Sequence, residues 1–562
     1  MKPLEYIKEK VWLQALLLTI LLFAGSYLTI GWWTDNYQHF YDSVASGELT
    51  DYYLPAAYDP FPEYMRGSAY LFNWLGLIYP IHWIAFFLNS LLFISIWILF
   101  FQVIKHTKEM PLLSRILLLL FLSVLFFESV VLYHMVRITM FAGIAALSGL
   151  IVADEKNYLN KKMIPFFLLF IIALWIRCNV HLFVLIFVSA AFFLHGKSLK
   201  PLLPFYLAFI LFFLYYCNVV FWTNYDHDLN YYFLYNTEFK LQFVGAYKPD
   251  LNLGNHLDSL KYMAVKNNII ADEINLTPEF YKRIGIFTNL SKFSTSQLYY
   301  AVYVFGGAML ENIHFIVADI ILILFYVFLG GAELKHYKFK TFLLFLFFYS
   351  VLFAICFIKM ENRFLVPFQV LFLYTIIVLH KPNLFYRKAN IIYLIVFLLL
   401  IIPLSGYYIW QKIEFSKKET QEFKNSFDLL SKHYGDAVLV INDGFVTKNR
   451  PYETFYQKKH FKNFYFFNYY ASHLSSWYRP YLEKECNCNP GNIYSFYDFL
   501  LKKDCKVLLL DEEKRMDVLK KYLSEVSGKN YEIDSAPIIN KADSLQLKLR
   551  GFTGELTLYE MK

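Results

Sequence analysis

Val11–Gly31, VWLQALLLTILLFAGSYLTIG, runs without a break into Trp32–Arg66, WWTDNYQHFYDSVASGELTDYYLPAAYDPFPEYMR. The first stretch carries no charged residue, and at 1.5 Å per helical residue it reaches about 30 Å, the thickness of bilayer hydrocarbon. The second packs Asp35, Asp42, Glu48, Asp51, Asp59 and Glu63 among aromatics at the edge of that span. An acidic, aromatic loop in such a place can hold a polar substrate against a lipid surface. The apolar run lacks a small-x-small exit, so it reads as an uncleaved anchor rather than a signal peptide.

Runs of the same kind recur along the chain. Of 562 residues 57% are hydrophobic and only 17% charged, which excludes an ordinary soluble protein. The net charge of +8 is no nucleic-acid signal in such a chain. Further apolar runs lie at 81–104, 116–132, 135–153, 164–176, 180–194, 202–221, 308–331, 341–358, 364–380 and 390–410. The run at 67–79 is too short to span and reads as interfacial. The two flanking Arg177-Cys178-Asn179 are each short and read as a tight hairpin. The expected fold is a polytopic α-helical membrane protein of about 11 transmembrane helices over residues 1–411, with polar loops at 32–80 and 222–300.

Short loops on one side carry 17 Lys and Arg, against five on the other: Arg66, Arg137, Arg177, Lys359 and Arg363. That bias puts the N-terminus in the cytoplasm and both long loops outside, in what the composition marks as a bacterial plasma membrane. From Lys412 onward the chain reads as soluble. Helices at 416–433, 493–503 and 512–526 alternate with strands at 437–441, 506–510, 545–549 and 555–559, which predicts an extracytoplasmic α/β domain at 412–562. Six cysteines, three of them in this region, do not read as a disulfide framework, and Cys486-Asn487-Cys488 without a second pair or nearby His is weak as a zinc site.

Charges at the hydrocarbon boundary are costly unless paired or hydrated, so they are the first candidates for function. Asp35, Glu128, His134, Arg137, Arg177, His181, Glu361 and Arg363 all fall on the outer side, and Glu311, His314 and Asp319 open the span after the long loop. A carboxylate serves as general base toward a hydroxyl, and arginines clamp phosphate through paired hydrogen bonds. Each residue also has a plainer reading: an interfacial Arg such as Arg66 or Arg137 snorkels, and a lone His such as His181 packs. Asp226 and Asp228, two apart beyond a span, offer hard oxygen ligands for a divalent cation, against the reading of a solvated loop start. The sequons at Asn275 and Asn289 matter only in a eukaryotic secretory setting.

In this light TDNYQHFYDSVASGEL, beginning just past the first span, is similar to the first outer loop of GT-C superfamily glycosyltransferases. HMVRITMFAGIAALSGLIVA resembles the Arg-led fourth span of that group. ENRFLVPFQVLF, Glu361–Phe372, resembles its late Arg-aromatic-Leu-x-Pro span start, and the helix and strand in Phe423–Ile441 resemble its outer C-terminal domain. The resemblance covers the layout of the whole chain through individually weak motifs. It implies transfer of a sugar from a polyprenyl-phosphate-linked donor to a glycan, lipid or protein acceptor, with no nucleic acid involved. On it Asp35 would be the catalytic base and Arg363 a donor-phosphate contact. Arg177 and Arg137 are further phosphate candidates, and Glu128 and Glu361 candidates for an acceptor contact or second acid. Many members carry a paired acidic motif between the third and fourth spans, where here Glu128 stands alone. Two other readings remain beside it, an O-antigen-type polymerase or ligase, and a non-enzymatic lipid-linked glycan transporter or scaffold. Arg283 is the only arginine in residues 222–300, which weighs against the polymerase.

Overall fold

Inside hydrocarbon no water is available to a backbone N–H or C=O, so each apolar run closes its own hydrogen bonds as an α-helix. The computed structural model describes residues 10–30, 83–108, 110–131, 135–152, 163–217, 255–267, 295–324, 335–356, 362–379, 395–411, 434–441, 463–466, 493–502, 506–528, 530–535 and 556–562, with a few isolated positions between them. Most of these residues are helical. The helices are α1 (Val11–Ile30), α2 (Trp83–His106), α3 (Leu112–Val131), α4 (Met135–Val152), α5 (Ile164–Arg177), α6 (His181–Leu194), α7 (Leu203–Cys217), α8 (His256–Lys266), α9 (Thr295–Glu311), α10 (Ile313–Leu324), α11 (Lys335–Cys356) and α12 (Asn362–Leu379). A further apolar helix, α13, covers Ile395–Gln411. Among the described residues four stretches, in α2, α3, α7 and α11, are long and apolar enough to cross a membrane alone. A fifth arises if α9 and α10 count as one span; they are bent by 82° where Asn312 joins them. Six shorter apolar helices accompany them.

α4 and α12 form the centre. Every residue from Met135 to Ile151 and from Leu365 to Val378 is buried. α4 can be central because its sequence, FAGIAALSG over Phe141–Gly149, is rich in small residues that let neighbouring backbones approach. A Cβ added at Gly149 would lie 3.0 Å from the Phe166 ring, and one at Gly143 would lie 2.5 Å from His181. α2, α5, α6 and α12 all pack on α4. Hydroxyls on these helices turn back onto their own backbone, as Ser95 does onto the Leu91 carbonyl and Thr107 onto that of Val103.

α5 and α6 run out and back, as the short runs predict. Phe166, near the start of α5, lies against Gly149, and Lys197, just past α6, donates to the Ile151 carbonyl at 2.7 Å. Both open ends therefore meet the C-terminal end of α4, and Arg177-Cys178-Asn179 sits at the apex. Gly196, at φ 67°, closes α6 in the left-handed conformation that favours glycine.

Downstream lies a five-stranded mixed sheet. β1 (Val438–Ile441) pairs in parallel with β2 (Asn463–Phe466) and β3 (Val507–Glu512), and β3 continues antiparallel through β5 (Leu556–Met561) to β4 (Ile533–Ser535). Residues Val507–Leu510 are fully buried, as VLLL flanked by polar residues requires. α14 (Ile493–Leu501) precedes β3, and α15 (Glu513–Ser527) follows it and buries Met516, Leu519, Tyr522 and Leu523. Gly528, at φ 70°, ends α15. The strands β2 and β4 were not expected from sequence; the strand expected at 545–549 and nearly all of the helix at 416–433 lie outside the described residues.

The polar loop after α7 docks onto this segment. α8, capped by the Asn255 side chain accepting from the Asp258 N–H at 2.7 Å, packs against α15. His256 Nε2 and Glu525 Oε2 stand 2.8 Å apart across the joint. Residues 255–267 and the sheet-bearing segment therefore belong on one side of any membrane. With the six native cysteines replaced, His256→Cys and Glu525→Cys should join through a short bifunctional thiol reagent in intact membranes. Linkage equal to that of distant surface pairs would refute the docking.

Candidate functional site: a buried Glu-His-Arg cluster

The chain alternates direction, so the ends of α3, α11 and α13 gather with the starts of α4, α10 and α12 and with the α5–α6 apex. At this end Glu128, in the last turn of α3, is only 1% exposed. Its Oε2 lies 2.8 Å from Nε2 of His314, which opens α10 and is 2% exposed. Its Oε1 lies 3.9 Å from the Arg137 guanidinium of α4. Arg137 also points a nitrogen at the Glu128 backbone carbonyl, 3.4 Å away. That carbonyl belongs to the last turn of α3, which has no intrahelical donor, and the negative end of the helix dipole favours a cation there. Tyr408 of α13 stacks on the His314 ring with centroids 5.5 Å apart.

Three chain segments thus meet at one dry carboxylate, with a fourth covering it. A charge so placed is tolerated only where opposite charge and hydrogen bonds replace water. The arrangement also has chemical capacity. With its Nε2 proton directed at Glu128, His314 keeps Nδ1 unprotonated, and among the described residues no hydrogen-bond partner meets that atom. A carboxylate-oriented imidazole is the arrangement of a general base.

A second polar contact stands beside it. Thr139 Oγ1 gives its one proton to the Ala173 carbonyl at 2.8 Å, so its 3.1 Å contact with His181 Nε2 makes that nitrogen the donor. His181 is fully buried against Gly143 and 5.5 Å from the Phe170 ring. It is a packing residue, and glycine at 143 is what admits it.

Of the candidates read from sequence, Glu128 and Arg137 are brought together as partners. Arg177 ends α5, half-buried at the apex of the hairpin. Arg363 is the second residue of α12, so its backbone stands at the same end; its side chain is not described. Asp35, His134, Glu361, Asp226 and Asp228 lie outside the described residues, and among the described residues no His, Cys, Asp and Glu cluster fit for a metal occurs. The role of His314 as the partner of Glu128 was missed, because 186 residues separate the two. The signal was a histidine and a carboxylate in separate apolar runs, each needing a partner. Matching the chain against models of protein families, curated proteins and solved structures finds no relative.

Glu128→Ala leaves Arg137 and His314 in a dry site without their shared carboxylate. Thermal unfolding in detergent should show a loss of about 3–5 kcal/mol, partly recovered by adding Arg137→Met; wild-type stability in the single variant would show that the cluster is not load-sharing. Gly143→Ala should lose about 1–3 kcal/mol by displacing His181, and His181→Ala in the same chain should restore part of it.

Proposed function

We propose that the chain is an integral-membrane glycosyltransferase of the GT-C kind, moving a sugar from a polyprenyl-phosphate-linked donor to an acceptor on the outer face of the membrane. The observation that carries this reading is that Glu128, Arg137, Arg177 and the backbone of Arg363 stand at one end of the bundle. It is also the end at which α7 and α13 finish. In this reading Asp35 removes the acceptor hydroxyl proton as the oxygen attacks the anomeric carbon. The bond from that carbon to the carrier phosphate breaks, and Arg177 and Arg363 hold the phosphate that leaves. Glu128 is the second acid, with His314 and Arg137 fixing it.

The same reading takes about 11 spans, counting the shorter apolar helices, with the N-terminus cytoplasmic. The sheet-bearing segment is then an extracytoplasmic α/β domain, and the docking of α8 on α15 supports placing it with the long loop. The lysine-rich ends of the helices, among them Lys105 and Lys197, gather at the opposite end, which fits a cytoplasmic surface.

A lipid-linked glycan transporter is the second reading, favoured by the 82° break between α9 and α10, since discontinuous helices line transport sites. The two separate in detergent. A transferase moves labelled sugar from donor to acceptor in micelles, where no compartments exist, and Asp35→Asn abolishes transfer while unfolding stays at the wild-type temperature. Transfer that persists in a well-folded Asp35→Asn protein would remove Asp35 from the chemistry; purified wild type that transfers only across sealed vesicles would favour the transporter.

A further inference from the structure

Past the Glu128 cluster, a second set of polar groups lies within the bundle. Asp319 of α10 is fully buried, and the Tyr349 hydroxyl of α11 donates to its Oδ2 at 2.6 Å. The Gln369 amide of α12, also fully buried, faces the same hydroxyl. Asp319 is six residues from the start of α10, and Tyr349 and Gln369 are each seven residues from the neighbouring ends of α11 and α12. At 1.5 Å per residue all three sit at one depth, about 10 Å in from the Glu128 end.

One reading is interhelical glue, a hydrogen bond holding three spans together. The donor count goes beyond that. The Tyr349 proton goes to Asp319 Oδ2, and the Gln369 amide beside it makes no hydrogen bond through either Nε2 or Oε1 among the described residues. Asp319 Oδ1 and Gln369 Oε1 are thus two bare acceptors, with no hydrogen-bond partner among the described residues. Charge is also unbalanced. Glu128 has His314 and Arg137 beside it, whereas among the described residues no lysine, arginine or histidine pairs with Asp319. Buried acceptors with a negative charge and no counter-ion define what is missing, a single small positive charge.

We propose that Asp319, Tyr349 and Gln369 form an intramembrane site for one small cation delivered from water, either a proton on Oδ1 or a sodium ion shared by the oxygens of the three side chains. The site lies one and a half turns along α10 from His314, on the inner side of the break at Asn312. Loading it therefore braces the helix that presents His314 to Glu128. The proposal stands independently of the transferase reading, because it predicts binding rather than turnover.

The test is thermal unfolding of the purified full-length protein in detergent, in two titrations: sodium chloride against choline chloride at fixed pH, and pH at fixed sodium. The described titratable groups on the packed elements include Lys340, Tyr349 and Cys356 of α11, Tyr374 of α12, Tyr299, Tyr303 and Glu311 of α9, and His314 with Glu128 and Arg137 behind it. They remain in Asp319→Asn, so the difference between wild type and that variant isolates the site. The expected result is that wild type is stabilised by sodium or by acid in a saturable way that Asp319→Asn lacks. Sodium dependence alone identifies the metal ion, and pH dependence alone the proton. Tyr349→Phe keeps the carboxyl but removes one oxygen ligand and the hydrogen bond that stabilises the charged carboxylate. It should weaken a sodium midpoint about tenfold, or move a proton midpoint up by about one pH unit, in either case the effect of one interaction with a charged group; it serves equally if Asp319→Asn does not fold. Equal responses of wild type and variants in both titrations would overturn the proposal.

Discussion

A carboxylate with almost no contact with water has to find its counter-charge and hydrogen bonds within the protein, and Glu128 finds the charge in Arg137 of α4 and a hydrogen-bond partner in His314 of α10. The requirement is severe because the surrounding medium cannot help: an ion moved out of water loses several kcal/mol of solvation even after relaxation. Meeting it fixes where α4 begins against where α3 ends, and it holds the start of α10 beside both. The chain turns by 82° at Asn312, just before His314 meets Glu128, while α9 packs on α11 through Phe305 against Tyr349 and Phe353. Tyr408 then closes the cluster from α13. One charge thereby ties the third, fourth and last apolar helices of the chain to the element that follows its longest polar loop.

The interior around these groups is built from size rather than charge. α4 is composed of Ala, Gly and Ser where its neighbours are Phe, Leu and Ile, and in membranes such differences in volume, not the hydrophobic effect, let helices associate. Gly143 is the clearest case, because the His181 imidazole occupies the space where a side chain would be. α12 is buried on every face yet carries Gln369, Tyr374 and Thr375. A helix meant only to fill space would be wholly apolar there. Those polar positions, with Asp319 and Tyr349, make the interior chemically uneven, charged and paired at one end and polar but uncompensated deeper in.

For function, the consequence is a division of labour along the bundle. The end that bears Glu128 concentrates ionisable groups beside the segments that project from it, and α8 joins the long loop to the C-terminal sheet. In the proposed transferase reading, a substrate with a charged head and an apolar tail would suit such an end, its phosphate near the arginines and its chain in lipid. The sheet contributes the rigid platform for the loop: β3 is buried, α15 covers it, and α8 lies on α15.

Much of this was legible in the residues alone. Periodicity and length set the apolar helices, because a backbone in hydrocarbon has no alternative to helix, and α1, α4, α5 and α6 match their expected bounds to within a few residues. VLLL between polar neighbours marked β3 for the same kind of reason. Glu128 and Arg137 were recognisable as charges in the wrong solvent, and His181 as a packing histidine. What tertiary structure alone decided is which charge meets which. Nothing local links Glu128 to His314, Asp319 to Tyr349 and Gln369, or His256 to Glu525, since each pairing depends on how helices distant in sequence are arranged side by side. The break at Asn312 belongs with these, because no proline or glycine stands at that position to announce it. Sequence determines which groups cannot be left alone in a membrane; the fold determines who accompanies them.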